Sequence, residues 1–250
     1  MILNKFLDTT DYMVQGHEGW LVPCVTHVHE GDELDVFFCW GHNMKPHGLA
    51  NNEGLFLYAI TPEGKKQEIE LAGNTENHYT YRMKMEKKGL HHFVSQKTGY
   101  YCKNAEGKRL NGTLKDNSDA VSATRYQQYA HMALPVGHGL ETSDYSETPA
   151  IPLRIVPDCW DKFQTGEIFA FTLFFGDKPL SLCDIDIAYT AGDDEATHEE
   201  IMTDGEGRIT YPIKAPGKYL IVVRYTAAEG EEGLYYDTRY TYTFWFKVKR

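Results

Sequence analysis

The feature that most restricts how this chain can fold lies near its C-terminal end. Tyr240, Tyr242, Phe244, Phe246 and Val248 alternate with Arg239, Thr241, Thr243, Trp245 and Lys247. Successive side chains of a strand point to opposite faces, whereas a helix groups residues three and four apart. The segment is period two, built from β-favouring residues, and reads as a strand. Leu34–Trp40 and Lys218–Tyr225 read the same way. Between such runs stand Glu30-Gly-Asp32, Pro62-Glu-Gly64, Asp204-Gly-Glu-Gly207 and Ala215-Pro-Gly217, the residue types that turns require. No stretch carries the pattern of a long amphipathic helix; residues 119–133 read either as a helical turn or as a strand. Pro62–Val94 and Gly205–Val222 echo each other as turn, strand, glycine, strand. The reading is an all-β chain of two β-sandwich modules. The boundary is expected in Glu141–Pro152, which is polar and holds two prolines, giving modules of 1–145 and 146–250.

Composition narrows the functions. The longest apolar stretch, Phe169–Phe175, is interrupted by Thr172, far short of the roughly 20 residues of a membrane-spanning helix, so no direct membrane insertion is expected. Net charge is −11, made up of −5 over residues 1–150 and −6 over 151–250, and neither half carries a basic stripe. Phosphate-backbone binding therefore lacks its driving force, and nucleic acid is excluded as a partner. Five cysteines at 24, 39, 102, 159 and 183 form no CxxC and cannot all pair within one chain, so they read as free thiols. The opening MILNKFLDTTDYMVQ develops no apolar core of a signal peptide, which fits either a cytoplasmic chain or one whose leader has been removed.

Histidines are unevenly placed. Ten of eleven lie in residues 1–138, where an even spread would put about six. Imidazole is the commonest ligand for nickel, cobalt, copper and zinc ions, so any metal chemistry is expected in the first module. His27 and His29 share one face of an extended segment, an arrangement also common on solvated strands. His42 and His47 bracket a loop flanked by Gly41 and Gly48, whose backbone freedom lets the rings fold inward. His91 aligns in the internal echo with Tyr219 and reads as a core residue, with His92 on the opposite side. His131 shares the face of Tyr129 if the segment is extended. His138, between Gly137 and Gly139, is expected to be exposed. Other chemistries lack their signatures: there is no GxSxG, no phosphate loop and no calcium loop, and the carboxylates of Asp193, Asp194 and Glu195 read as a solvated acidic loop.

An ordered set of short motifs resembles a known family. Gly16-His-Glu-Gly-Trp-Leu-Val-Pro23, Glu30-Gly-Asp-Glu-Leu-Asp-Val36 followed by Trp40-Gly-His42, Thr98-Gly-Tyr-Tyr-Cys-Lys103 and Tyr129–Gly137 occur in the first module. Pro152-Leu-Arg-Ile-Val-Pro157, Thr203–Tyr211 and Ala215–Ile221 occur in the second. In this order they resemble domain-of-unknown-function family 4198, grouped with periplasmic components of cobalt and nickel uptake. The resemblance implies an exported, metal-handling, all-β protein whose second module is Ig-like or transthyretin-like. His17 and His42 fall on its motifs, whereas His131 stands where the family commonly shows lysine.

The resulting expectation is a non-catalytic protein that binds Ni(II) or Co(II), with Zn(II) also accommodated. Its ligands would be His17, His42 and His131, with His47 or His92 completing the shell. Tyr100, Tyr101 and Tyr129 would supply hydrogen bonds behind the rings, and a membrane metal transporter would be the partner. Two other readings stand beside it: a cupin-like metal enzyme using His27 and His29, and an adhesive module presenting aromatic surface.

Overall fold

The computed structural model describes residues 16–141, 144, 147–160, 163–191 and 196–249. The segment 1–15, the acidic residues Asp193, Asp194 and Glu195, and the 145/146 boundary lie outside them. The protein is all-β. Its first part carries β1 (Glu18–Pro23), β2 (Glu33–His42), β3 (Lys45–Pro46), β4 (Leu55–Ile60), β5 (Lys66–Glu68), β6 (Leu71–Asn74), β7 (His78–Lys84), β8 (Gly89–Asn104), β9 (Arg109–Asn111) and β10 (Ala120–Val136). Its second carries β11 (Leu153–Pro157), β12 (Ile168–Phe175), β13 (Lys178–Pro179), β14 (Asp184–Thr190), β15 (Thr197–Met202), β16 (Arg208–Pro212), β17 (Gly217–Ala227) and β18 (Asp237–Val248). The ambiguous stretch 119–133 is thus strand. Among the described residues no helix is long and apolar enough to cross a membrane.

Three sheets stack. The central one has nine strands, in the order β15-β14-β17-β18-β10-β8-β4-β5 with β9 beside β8. A five-stranded sheet, β1-β2-β7-β6 with β3 on β2, covers one face; a four-stranded sheet of β11, β12, β13 and β16 covers the other. The central sheet crosses from one sandwich to the next where β10 pairs in parallel with β18, from Thr124 opposite Asp237 to Met132 opposite Trp245. Parallel neighbours need a long crossover, and here the crossover is most of the second sandwich. The two modules therefore share a sheet.

Being central explains the composition of β18. Tyr240, Tyr242, Phe244, Phe246 and Val248 enter the core beneath the four-stranded sheet. The opposite face, which carries Thr241, Thr243 and Trp245, is buried as well. Trp245 packs with Trp20, Phe38 and Met132 in the core beneath the five-stranded sheet. Thr243 satisfies its hydroxyl by donating to the Gly19 carbonyl at 2.7 Å, tying β1 down onto β18. Three of the five free thiols, Cys39, Cys102 and Cys183, are buried.

A shared sheet predicts shared unfolding. Denaturation should be one transition, with Trp fluorescence and far-UV circular dichroism coincident. Phe244→Ala, at a fully buried position, should cost about 3–5 kcal/mol and lower the single midpoint. Two separable transitions would contradict this.

Candidate metal centre

Local sequence builds the site at one end of the β1–β2 hairpin. His42 ends β2 and pairs with Lys45 across a two-residue turn of Asn43 and Met44, whose φ values are 56° and 61°. Two left-handed residues define the turn type whose twist matches a hairpin. Asn accepts that conformation readily, while Met does so at a cost of roughly 1–2 kcal/mol. Gly41 is required by close approach: a Cβ there would collide with the Lys45 carbonyl and the His47 amide. His47 N–H donates to the Trp40 carbonyl at 2.8 Å and returns the chain beside β2. Glu18 pairs with Gly41 across β1 and β2, which sets His17, one residue earlier, beside His42. One nitrogen from each of His17, His42 and His47 lies within 4.8 Å of the others. Ring centroids are 4.3 Å apart for His17 and His42, 5.5 Å for His42 and His47, and 5.7 Å for His17 and His47.

A carboxylate that sequence reasoning missed stands behind this trio. Glu18 is 2 % exposed. Its Oε2 lies 3.3 Å from His42 Nδ1 and accepts from Arg224 Nη2 at 2.9 Å, while its Oε1 accepts the Asn43 N–H at 3.0 Å. A carboxylate on Nδ1 fixes the tautomer with Nε2 unprotonated, the arrangement that commonly holds metal-ligating histidines. Arg224 belongs to β17, so the site is anchored across the sheet stack to the second sandwich.

Electrostatics weaken proton binding at two of the three rings, His17 and His47. His17 is pushed down to about 4, mainly by burial, then by His42 and His47, against a smaller opposing pull from Glu18. His47 is lowered by burial and by His42. Neutral imidazole is the form that binds a cation. His17 also lines a cleft of about 290 Å³ with Trp40, Tyr101, Arg109 and Arg239, which opens the site to solvent. The imidazole of His17 stacks on Trp40, with 5° between the planes.

His131 and His92 stand elsewhere. On β10, Ala130, Met132 and Leu134 face the core under the five-stranded sheet, so Tyr129 and His131 face the other way. On β8, Phe93 likewise points toward the hairpin side and Val94 away from it, and His92 shares the face of Val94. The period of a strand therefore sends both rings to the side opposite His17. There they form a fully buried chain: His92 Nδ1 to His131 Nε2 at 2.9 Å, and His131 Nδ1 to the Tyr242 hydroxyl at 2.7 Å, edged by Trp160. The expected set of five is thus divided, with His17, His42 and His47 together and His92 and His131 in a separate core network. Of the tyrosines, Tyr129 donates to Gln127, Tyr100 packs on Tyr235, and Tyr101 joins His17 in the cleft. His91 is buried as expected. His27, His29 and His138, which match no family motif, converge into a second trio.

The family described as Domain of unknown function (DUF4198) matches residues 14–227. Comparison with curated proteins gives no match. Among solved structures, a tetra-tandem repeat from the extending region of a large adhesion protein is 9% identical, with a TM-score of 0.25, over 94% of this chain and 50% of that one. This chain therefore spans about half the length of that relative. The D0-D1 domain of intimin is 15% identical, with a TM-score of 0.24, over 92% of this chain and 99% of that one. A two-domain fibronectin type-III segment of chicken tenascin is 13% identical, with a TM-score of 0.22, over 90% and 98%.

The buried pair predicts a pH dependence. Burial, reinforced by His92, holds His131 well below the ordinary imidazole range. Below about pH 6.5 the unfolded chain takes up a proton that the folded chain refuses, so stability falls as pH falls. His131→Leu should cost about 1–3 kcal/mol at pH 7.5, because Tyr242 and His92 lose a partner. It should also make the loss between pH 7.5 and 5 shallower. Urea denaturation at the two pH values checks both; an unchanged slope would contradict the assignment.

Proposed function

The chain belongs to the DUF4198 family, and from that premise we propose that it binds a divalent transition-metal ion through His17, His42 and His47. Ni(II) and Co(II) are the favoured ions and Zn(II) is accommodated. The observation that carries the reading is the donor set: three imidazole nitrogens within 4.8 Å, one held from behind by the buried Glu18 carboxylate. Borderline divalent ions prefer imidazole, and geometry rather than raw affinity selects among them. The ion is cargo in this proposal. The chain takes it from solution through the cleft beside His17 and gives it up to a membrane metal transporter, without catalysis. Three protein ligands leave coordination positions open, which suits an ion that must be handed on.

The depressed affinity of His17 and His47 for protons favours this use, because protons compete with metal for the same lone pairs. Glu18 would do two things: hold His42 with Nε2 free, and enrich the neighbourhood in negative charge. Arg224, charge-paired to it, would keep the carboxylate in place when the site is empty.

Equilibrium dialysis of chelator-stripped protein against Ni(II), with thermal unfolding alongside, tests the proposal. An ion that binds only the folded chain adds about 2.7 kcal/mol at one hundred times its dissociation constant. The ion bound here should be lost in His17→Ala and in His42→Ala. Glu18→Gln should retain it about 10–100-fold more weakly, and should destabilise the metal-free chain as well, by removing the carboxylate that pairs with the partly buried Arg224. Unaltered binding in His42→Ala would refute the proposal.

A further inference from the structure

We propose a second, separate metal site on the surface, formed by His27, His29 and His138. It does not rest on the function proposed above, since no ligand is shared.

Backbone structure brings the three rings together. Val28 forms an isolated parallel bridge with Val136, and the Gly137 N–H donates to the Val28 carbonyl at 2.8 Å. Both valines are buried, which pins the two segments side by side. His27 and His29 flank Val28, and in extended chain they emerge on the outer face together. Gly137 and Gly139 have φ values of 85° and 56°, a left-handed pair that turns His138 back toward them. The loop that carries His29 is fixed too: Gly31 N–H donates to the Met85 carbonyl at 2.6 Å, and Met85 N–H to the Asp32 carbonyl at 2.8 Å.

The side-chain geometry is that of ligands around one ion. A nitrogen from each ring lies within 4.8 Å of the others, and His29 Nε2 is 3.0 Å from His138 Nε2. Two ligands held about 2.0–2.1 Å from one ion, at tetrahedral or octahedral angles, stand roughly 2.8–3.4 Å apart. At this hydrogen-bonding separation at least one of the two nitrogens turns a lone pair toward the gap. Asp32 is the partner behind the ring: its Oδ2 accepts the His29 amide at 2.8 Å and lies 3.7 Å from His29 Nδ1. Such a carboxylate orients a ligating imidazole and raises its basicity. Imidazole nitrogen donors with open solvent access suit a borderline divalent ion, Zn(II), Ni(II) or Cu(II), rather than Ca(II) or Mg(II).

The two trios occupy opposite ends of one hairpin. His17 precedes β1 and His42 ends β2, whereas His27 and His29 lie in the loop joining the two strands. A ten-residue strand such as β2 is about 30 Å long, so the ions are bound independently.

Equilibrium dialysis of the full chelator-stripped chain against Zn(II) and Ni(II) provides the test. Wild type should bind two ions. His29→Gln with His138→Gln should bind one, with affinity for the missing ion lowered at least about 100-fold, the upper range for loss of an outer-shell partner alone. All three residues are exposed, so the metal-free variant should melt at the wild-type temperature. His42→Ala should retain the ion that the double variant loses. If the double variant binds as many ions as tightly as wild type, the second site is overturned. If wild type binds a single ion that is lost in the double variant but kept in His42→Ala, this site stands and the function proposed above fails. If no ion binds, both are overturned.

Discussion

A carboxylate at the edge of the core holds together the end of the structure that carries the proposed metal site. Glu18 sits almost fully buried at the start of β1, where a lone charge would be costly. It is retained by three contacts: the Arg224 guanidinium, the His42 imidazole and the Asn43 amide. Each contact comes from a different element: β17 in the second sandwich, the end of β2, and the tight turn after it. Removing the carboxylate would take a charge partner from the partly buried Arg224, loosen the hairpin tip and remove one hold on the His42 ring. The proposed chemistry and the local fold therefore have a common support.

The shared central sheet supplies the larger frame. With covers on both faces, its middle strands β17 and β18 are largely buried on both sides, and the half-buried and exposed histidine clusters lie at the hairpin ends of the five-stranded sheet. This separates the histidines by environment. Those inside the stack, His91, His92 and His131, are buried. Those at the hairpin ends are half-buried or exposed and grouped in threes. Burial makes protonation unfavourable at His91 and His131, and the class packs within hydrogen bonds inside the core. The second class keeps access to solvent.

Much of the fold was legible. The alternation of β18 showed in its residues, and so did the turn chemistry between strands. Part of the centre was legible as well: His17 and His42 lie on motifs, and Gly41 and Gly48 bracket the loop that brings His47 inward. Other features depend on contacts between distant residues. Glu18 meets Arg224 206 positions away, and no local pattern marks either one. The parallel pairing of β10 and β18 leaves no trace in spacing, so the two modules read as separate sandwiches. For His131 the period gave the right companion, Tyr129, but periodicity cannot tell which cover lies over which face. That knowledge divides the five expected ligands into two places. The trio of His27, His29 and His138 escaped because a backbone bridge between Val28 and Val136 creates it.

The most direct measurement is nickel-edge X-ray absorption on the His29→Gln, His138→Gln chain loaded with one equivalent of Ni(II), which isolates the His17 centre. The account predicts outer-shell scattering from about three imidazole rings, with nitrogen or oxygen neighbours completing the sphere. A shell of oxygen ligands alone, without imidazole scattering, would contradict it.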